Sequence, residues 1–264
     1  MRDRRFAKIN GRQRSLRRLI GAGALLAFLL VAWQLGVIVF HVPGYLLPSP
    51  VEIARALWET RATLGEHTLI TLGEVLIGLF VGMMLGFALA ILMSWSPMLN
   101  NALYAPILAT QTTPIVAIAP ILIIWFGVGL APKVIIIAIF SFFPVLVNTL
   151  AGLQATSLQM IQLLNSVAAS NWQIYRYVRI PMALPHVFAG LRLAAAASVV
   201  GAIVVEWVSS TAGLGYLLIL YQARLNISKA FATLFILMLL GIAVFAFFAW
   251  LERRFSWQRR LGIE

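Results

Sequence analysis

Two acidic residues, Glu74 and Glu206, fall inside otherwise apolar runs of this 264-residue chain, and they are the natural starting point for any chemistry. An ionisable group at membrane depth costs about 2.5–3.5 kcal/mol on insertion scales and usually faces a cavity or a partner. Each sits near one end of its run. One reading has them reach the interface or serve as structural hydrogen-bond groups; the other has them line or gate the mouth of a path. They do not form a convincing catalytic pair. The three histidines, His41, His67 and His186, are scattered over different loops and read as interfacial polar residues, so neither a metal cluster nor a Ser–His or carboxylate dyad is suggested. With no cysteine, a disulfide framework, a thiolate zinc site and a thiol nucleophile are excluded. No GxxxxGK[ST] phosphate loop occurs, so the chain is not expected to bind ATP or another cofactor by itself.

The elements that must position these residues follow from composition. Hydrophobic residues make up 62% of the chain and charged residues 11%, with a mean hydropathy of +0.95. Soluble domains carry about 25% charged residues, so the solvent for most of this chain is lipid. There, backbone groups must pair internally, which leaves helices or closed barrels. The apolar runs are long and do not alternate, which favours helices. Six runs are long enough to cross: Leu19–Phe40, Thr68–Met93, Leu103–Phe126, Val134–Leu153, Val187–Val208 and Phe231–Leu251. The first, at 1.5 Å per residue, spans roughly 33 Å and reads as an uncleaved helix rather than a signal peptide. The expectation is an all-α polytopic membrane protein with about six spans, organised as a single domain over 1–264.

The net charge of +12 is not spread as in a nucleic-acid binder. Eight of the twenty basic residues lie in positions 1–18, and Arg253, Arg254, Arg259 and Arg260 close the chain. Basic flanks mark the cytoplasmic side. With both termini inside, the internal segments 1–18, 94–102, 154–186 and 252–264 also hold Arg176 and Arg179. The external segments hold Arg55, Arg61, Lys133, Arg224 and Lys229.

Local signals add detail. Ser49 before Pro50 predicts a capped outer helix from Pro50 to Trp58. Gly78, Gly82 and Gly86 share one face of the second span, suited to helix packing or to a subunit seam. Pro106, Pro114 and Pro120 predict a bent third span, as a kinked packing helix or along a polar path. The internal loop 154–186 predicts an amphipathic helix pair at the inner face, without an acidic residue. Pro181 and Pro185 are expected to end the second of these before the fifth span. The pair could rest on anionic lipid or dock a cytoplasmic partner.

That loop carries Ala169-Ser170-Asn171-Trp172-Gln173-Ile174-Tyr175, then Ile180-Pro181-Met182-Ala183-Leu184-Pro185 and Ala189-Gly190-Leu191-Arg192. Further on come Val205-Glu206-Trp207-Val208 and Gly213-Leu214-Gly215-Tyr216, and upstream Pro120 to Gly129 and Phe142 to Asn148. From about Leu47 to Leu251 the chain resembles the permeases of bacterial ABC importers, the binding-protein-dependent inner-membrane components. Two departures stand out. Gln162-Leu163-Leu164 replaces the family's Glu-Ala-Ala, removing a carboxylate. Ala168 replaces its Gly, which is expected to forbid an easy left-handed turn.

The resemblance implies a type I importer permease with its core at 68–251 in the bacterial cytoplasmic membrane. It implies two permease copies, two ATPase subunits that use ATP and Mg, and a binding protein delivering substrate from outside. Gln162, Leu163, Val167, Ala168, Ala169, Ser170, Trp172, Tyr175 and Arg176 would form the ATPase-coupling loop. Glu74, Gln111, Pro114, Asn148 and Glu206 would belong to the translocation path or its gate. Thr71 to Gly78, Gln111-Thr112-Thr113-Pro114 and Leu163-Leu164 resemble the riboflavin and thiamine-precursor branch more than the sulfonate, taurine and nitrate branch. A path without basic lining suits a neutral aromatic ligand. An ATP-independent channel or carrier, and a membrane enzyme, are the alternatives from other classes.

Overall fold

In the computed structural model the described residues are 21 and 23–255. The basic segment 1–18, with Arg259 and Arg260, lies outside them. Every regular element among the described residues is helical. Contacts group the described residues into two compact units, one of those up to 61 with 221–232 and one of 62–220 with those from 233 on.

In the first unit, α1 (Gly23–Val39) is a 17-residue apolar helix; the expected start of this run at Leu19 lies outside the described residues. The predicted outer helix is α2 (Pro50–Glu59). Its capping box is complete: Ser49 Oγ accepts from the Glu52 amide at 3.3 Å, and Glu52 Oε2 accepts from the Ser49 amide at 2.8 Å. Trp33 lies 6.3 Å from Phe231.

The second unit holds most of the membrane core, with the first turns of the last helix counted in the first unit. Four helical stretches are long and apolar enough to cross: α3 (Arg61–Trp95), α6 (Leu130–Gln154), the stretch Asn171–Ser209, and α11 (Ile227–Phe255). The bent pair α4 (Pro97–Thr112) and α5 (Ile115–Phe126) is long and apolar enough only when its two helices are taken together. Helix α6 is the hub. A Cβ added at Gly78, Gly82 or Gly86 of α3 would stand 2.5 Å from Ile137 Cβ, 2.2 Å from Ser141 Oγ or 2.7 Å from the Phe142 carbonyl. The glycine face therefore lets α3 approach the α6 backbone. On the other side Gly190 and Gly201 of α9 (Ile180–Ser209) meet Asn148 and Phe140. Gly82→Leu is thus expected to wedge α3 from α6. Overpacking costs about 1–3 kcal/mol, read as a lower denaturation midpoint and reduced membrane yield; an unchanged midpoint would show the seam to be slack.

Two expectations about proline need correction. The third span was expected to bend along its prolines, but only Pro114 breaks it, with a 96° turn between α4 and α5. Thr113, preceding that proline, is extended at φ −78°, ψ 128°, the region the proline ring imposes on its predecessor. Pro106 and Pro120 remain within helices. Pro181 and Pro185 do not stop their helix. From α8 (Asn171–Ile174) the chain passes through a π-helical stretch, Tyr175–Arg179, into α9, giving 39 continuous residues. The Ile180 amide bonds back to the Tyr175 carbonyl. This wider turn accommodates the missing proline donor next door.

Candidate functional site

The two buried carboxylates belong to one polar knot at the ends of α3, α6 and α9. The α9–α10 turn brings the start of α10 (Leu214–Ala223) against α3. Three successive backbone donors there are capped by side chains from other helices. The Gly213 amide donates to His67 Nδ1 at 2.8 Å, that of Leu214 to Thr71 Oγ1 at 2.8 Å, and that of Gly215 to Glu206 Oε2 at 2.5 Å. Thr71 in turn donates its hydroxyl to Glu206 Oε1 at 2.6 Å. Orphan donors at a helix start need such partners, and because Gly213, Leu214 and Gly215 are buried, water does not supply them. The glycines are required: Gly213 has φ +111°, and a Cβ at either glycine would collide with the Glu206 carboxylate. Tyr216 stacks on His67 with centroids 6.2 Å apart.

One helical turn beyond Thr71, Glu74 is 6% exposed and accepts from Lys133 Nζ at 2.5 Å, while Lys133 also donates to Ser210 Oγ at 2.7 Å. Glu74 therefore does not reach out to the interface. Lys133, expected to be an external loop residue, bends inward, so a cation does enter the spans. Sequence reasoning missed His67, Thr71, Lys133, Ser210 and the capping role of Gly213 and Gly215. The Thr71–Glu74 spacing on one face and the Gly-x-Gly after Glu206 were the available signals.

At the opposite end lies the loop segment. Helix α7 (Leu158–Ser166) starts at Ser157 and ends in a left-handed turn at Ala168, φ +57°. Contrary to expectation, the alanine adopts the turn. The left-handed conformation costs an L-residue roughly 1–2 kcal/mol. Ala168→Gly is therefore expected to raise the denaturation midpoint of the solubilised protein by an amount corresponding to about 1 kcal/mol; a lower midpoint would mean that the strain is relieved elsewhere. Ser170 and Gln173 form a second capping box, starting α8. Leu163, Val167, Trp172, Arg176 and Tyr177 are exposed. A cleft of about 360 Å³ between α7 and the next helix is lined by Val167, Ala168, Ala169, Gln173 and Tyr177. Gln162 and Ser170 are exposed as well. Tyr175 instead points inward. Its hydroxyl is 3.1 Å from Ser94 Oγ, and its ring meets Trp95 edge to face at 5.7 Å.

The remaining path candidates are dispersed. Gln111 and Pro114 lie exposed at the α4–α5 break, where Gln111 Nε2 donates to Thr110 Oγ1 at 3.4 Å. Asn148 sits part-buried in the α6–α9 seam, donating to the Pro144 carbonyl at 2.8 Å. Among the described residues no group of His, Asp and Glu side chains could hold a metal ion.

Comparison with known proteins gives this geometry its setting. The chain is 35% identical over 240 residues, 91% of its length and 98% of the relative's, to a probable ABC transporter permease of Haemophilus influenzae. It is 36% identical over 83% of its length, and 87% of the relative's, to a formylaminopyrimidine transport permease, ThiX, of Halalkalibacterium halodurans. It is 34% identical over 93% of its length, and 94% of the relative's, to a riboflavin transport system permease, RibX, of Chloroflexus aurantiacus. A solved amino acid ABC transporter chain shares the fold, with a TM-score of 0.61 at 20% identity over 75% of this chain and 96% of that one. The family profile matches residues 78–257, from the glycine seam through the loop segment to the last span, so the chain belongs to the family of binding-protein-dependent transport system inner membrane components.

Proposed function

We propose that this chain is the conducting subunit of an ATP-driven importer and that α9 is the lever through which a cytosolic ATPase acts on the outer end of the path. The observation that carries the reading is the unbroken helix from Asn171 to Ser209. Its first turn presents Trp172 to solvent, and Glu206 near its last turn holds the α10 start. At 1.5 Å per residue Trp172 and Glu206 are about 51 Å apart along it. A displacement imposed at α7–α8 is carried along this one continuous helix, through the π-helical turn at Tyr175–Arg179, to the knot. The docking face, Gln162, Leu163, Val167, Ala169, Trp172 and Arg176, offers apolar surface and positive charge with no acidic residue among its own groups.

A second copy of the chain completes the path. No residue of α4 is buried, and it exposes Asn101, Gln111 and two threonines, Thr110 and Thr112, whose hydroxyls bond back to the Ile107 and Ala109 carbonyls; the spare donors and acceptors of Asn101 and Gln111 at membrane depth need water or a partner. Between Pro97 and Phe126 there is no charged residue, and Lys133 is bound to Glu74. This uncharged, hydrogen-bonding lining supports a neutral substrate such as riboflavin or a thiamine-precursor pyrimidine over a sulfonate, taurine or nitrate.

The test is reconstitution of the permease with its ATPase and binding protein in vesicles. Uptake is expected to require ATP and the binding protein, with the ligand identified by calorimetry on the binding protein. Uptake without nucleotide would establish a channel or carrier instead. Because the chain has no cysteine, Asn171→Cys gives a clean topology probe. Labelling from the cytosolic side alone is expected; labelling from outside would invert the orientation and remove the docking surface.

A further inference from the structure

A second cavity, of about 590 Å³, opens at the loop end of the second unit, between the α3–α4 corner and the α8 and π-helical turns. Its walls include Ser94, Trp95, Asn171, Trp172, Tyr175 and Arg179. Tyr175 and Trp95 are fixed against each other, and the Ser94–Tyr175 hydrogen bond ties the two elements together. Arg179 is half-buried beside this space and forms neither an ion pair nor a hydrogen bond with the described residues. A guanidinium so placed seeks an anion with oxygens for its fork. Among the described residues no carboxylate pairs with it, and from Glu74 to Glu206 no acidic residue intervenes in the sequence.

We infer that this cavity is a binding site for the phosphate-bearing headgroup of an anionic phospholipid. Three features select a lipid over a soluble anion. Trp95 closes the last turn of a membrane-spanning helix, which places the cavity mouth at the headgroup level, where tryptophans concentrate. Trp95 is 61% exposed, offering an amphipathic ring face to the glycerol region. Ile161 adds an apolar wall suited to the first methylenes of an acyl chain. Basic residues at this level are drawn to anionic leaflets. The site would thereby anchor the root of the α9 lever to the bilayer. Assignment to the inner leaflet rests on the orientation proposed above; the existence of the site does not.

The test uses the complete transporter, delipidated in detergent and titrated with phosphatidylglycerol, with bound lipid counted by native mass spectrometry. Parent protein is expected to retain phosphatidylglycerol but not phosphatidylcholine. Arg179→Gln is expected to weaken retention roughly tenfold, as loss of a charge-assisted pair implies. Ile161→Trp, which fills the cavity and removes no charge, should give a comparable loss. Inorganic phosphate at millimolar concentration should not displace the lipid; displacement would assign the site to the free ion and overturn the lipid reading. Equal lipid retention by the parent and both variants would overturn the site. So would loss of the ATPase subunits from Arg179→Gln with lipid retention unchanged, since the arginine would then serve a protein carboxylate. These readouts are taken in detergent and do not depend on which way the chain crosses the membrane, so a failure here is distinct from a failure of the orientation.

Discussion

Replacing Glu206 by alanine is expected to abolish uptake and to lower the denaturation midpoint of the solubilised protein by several degrees. The carboxylate, 1% exposed, accepts from the Thr71 hydroxyl and the Gly215 amide. Alanine leaves both donors without a partner in a region water does not reach, at about 1–3 kcal/mol for each buried unsatisfied group. It also opens a void against Gly213, which has no side chain with which to fill it. Glutamine is the informative comparison. It keeps the shape but has one acceptor oxygen instead of two, so one of the two donors stays satisfied and the loss of midpoint should be about half that of alanine. If the alanine variant were as stable as the parent, the α10 start would not depend on this carboxylate. If stability fell but uptake stayed normal, the knot would be a structural brace with no part in gating.

What could be read in advance divides by sequence distance. The Ser49 cap and the start of α2 were legible because every participant lies within three residues. The face shared by Gly78, Gly82 and Gly86 was legible from helical spacing, though the periodicity could not say that the neighbour is α6 of the same chain. The α10 cap was not legible. His67 and Gly213 are 146 residues apart, and Thr71 and Glu206 are 135 apart; no local pattern joins them. Lys133 shows the same limit, because the reach of its flexible stem toward Glu74 is set by tertiary proximity.

Proline was misjudged for a related reason. Its effect depends on whether the surrounding backbone can re-satisfy the freed carbonyl. Ahead of Pro181 the chain does so with a π turn, while at Thr113–Pro114 it turns instead. At Ala168 the propensity argument was sound in direction, yet a two-sided constraint outweighs it. The end of α7 and the capping box of α8 leave two residues between Val167 and Ser170 in which to reverse the chain, and a strain of about 1–2 kcal/mol is small against both caps together.

The double variant Trp172→Ala, Arg176→Ala is expected to lose uptake by roughly tenfold or more while inserting and melting like the parent. Both side chains are exposed and neither holds the fold: Trp172 is 57% exposed, and Arg176 makes neither an ion pair nor a hydrogen bond with the described residues. Large aromatics and arginines carry a disproportionate share of interface energy, about 2 kcal/mol or more when they are central, and each 1.4 kcal/mol is tenfold in affinity. Removing both should therefore weaken ATPase docking without disturbing α9. The measurement has two parts, because a misfolded lever would also stop transport. The circular-dichroism melting curve should superimpose on that of the parent. The ATPase activity of the reconstituted complex should then cease to respond to the binding protein. Tyr175→Phe provides the opposite pattern. It removes the hydroxyl that meets Ser94 but leaves the exposed face intact, so stability should fall by about 1 kcal/mol with docking preserved. Normal uptake by the double variant would move the docking surface off the α8 turn. The lever could then be driven only from α7, through the strained turn at Ala168.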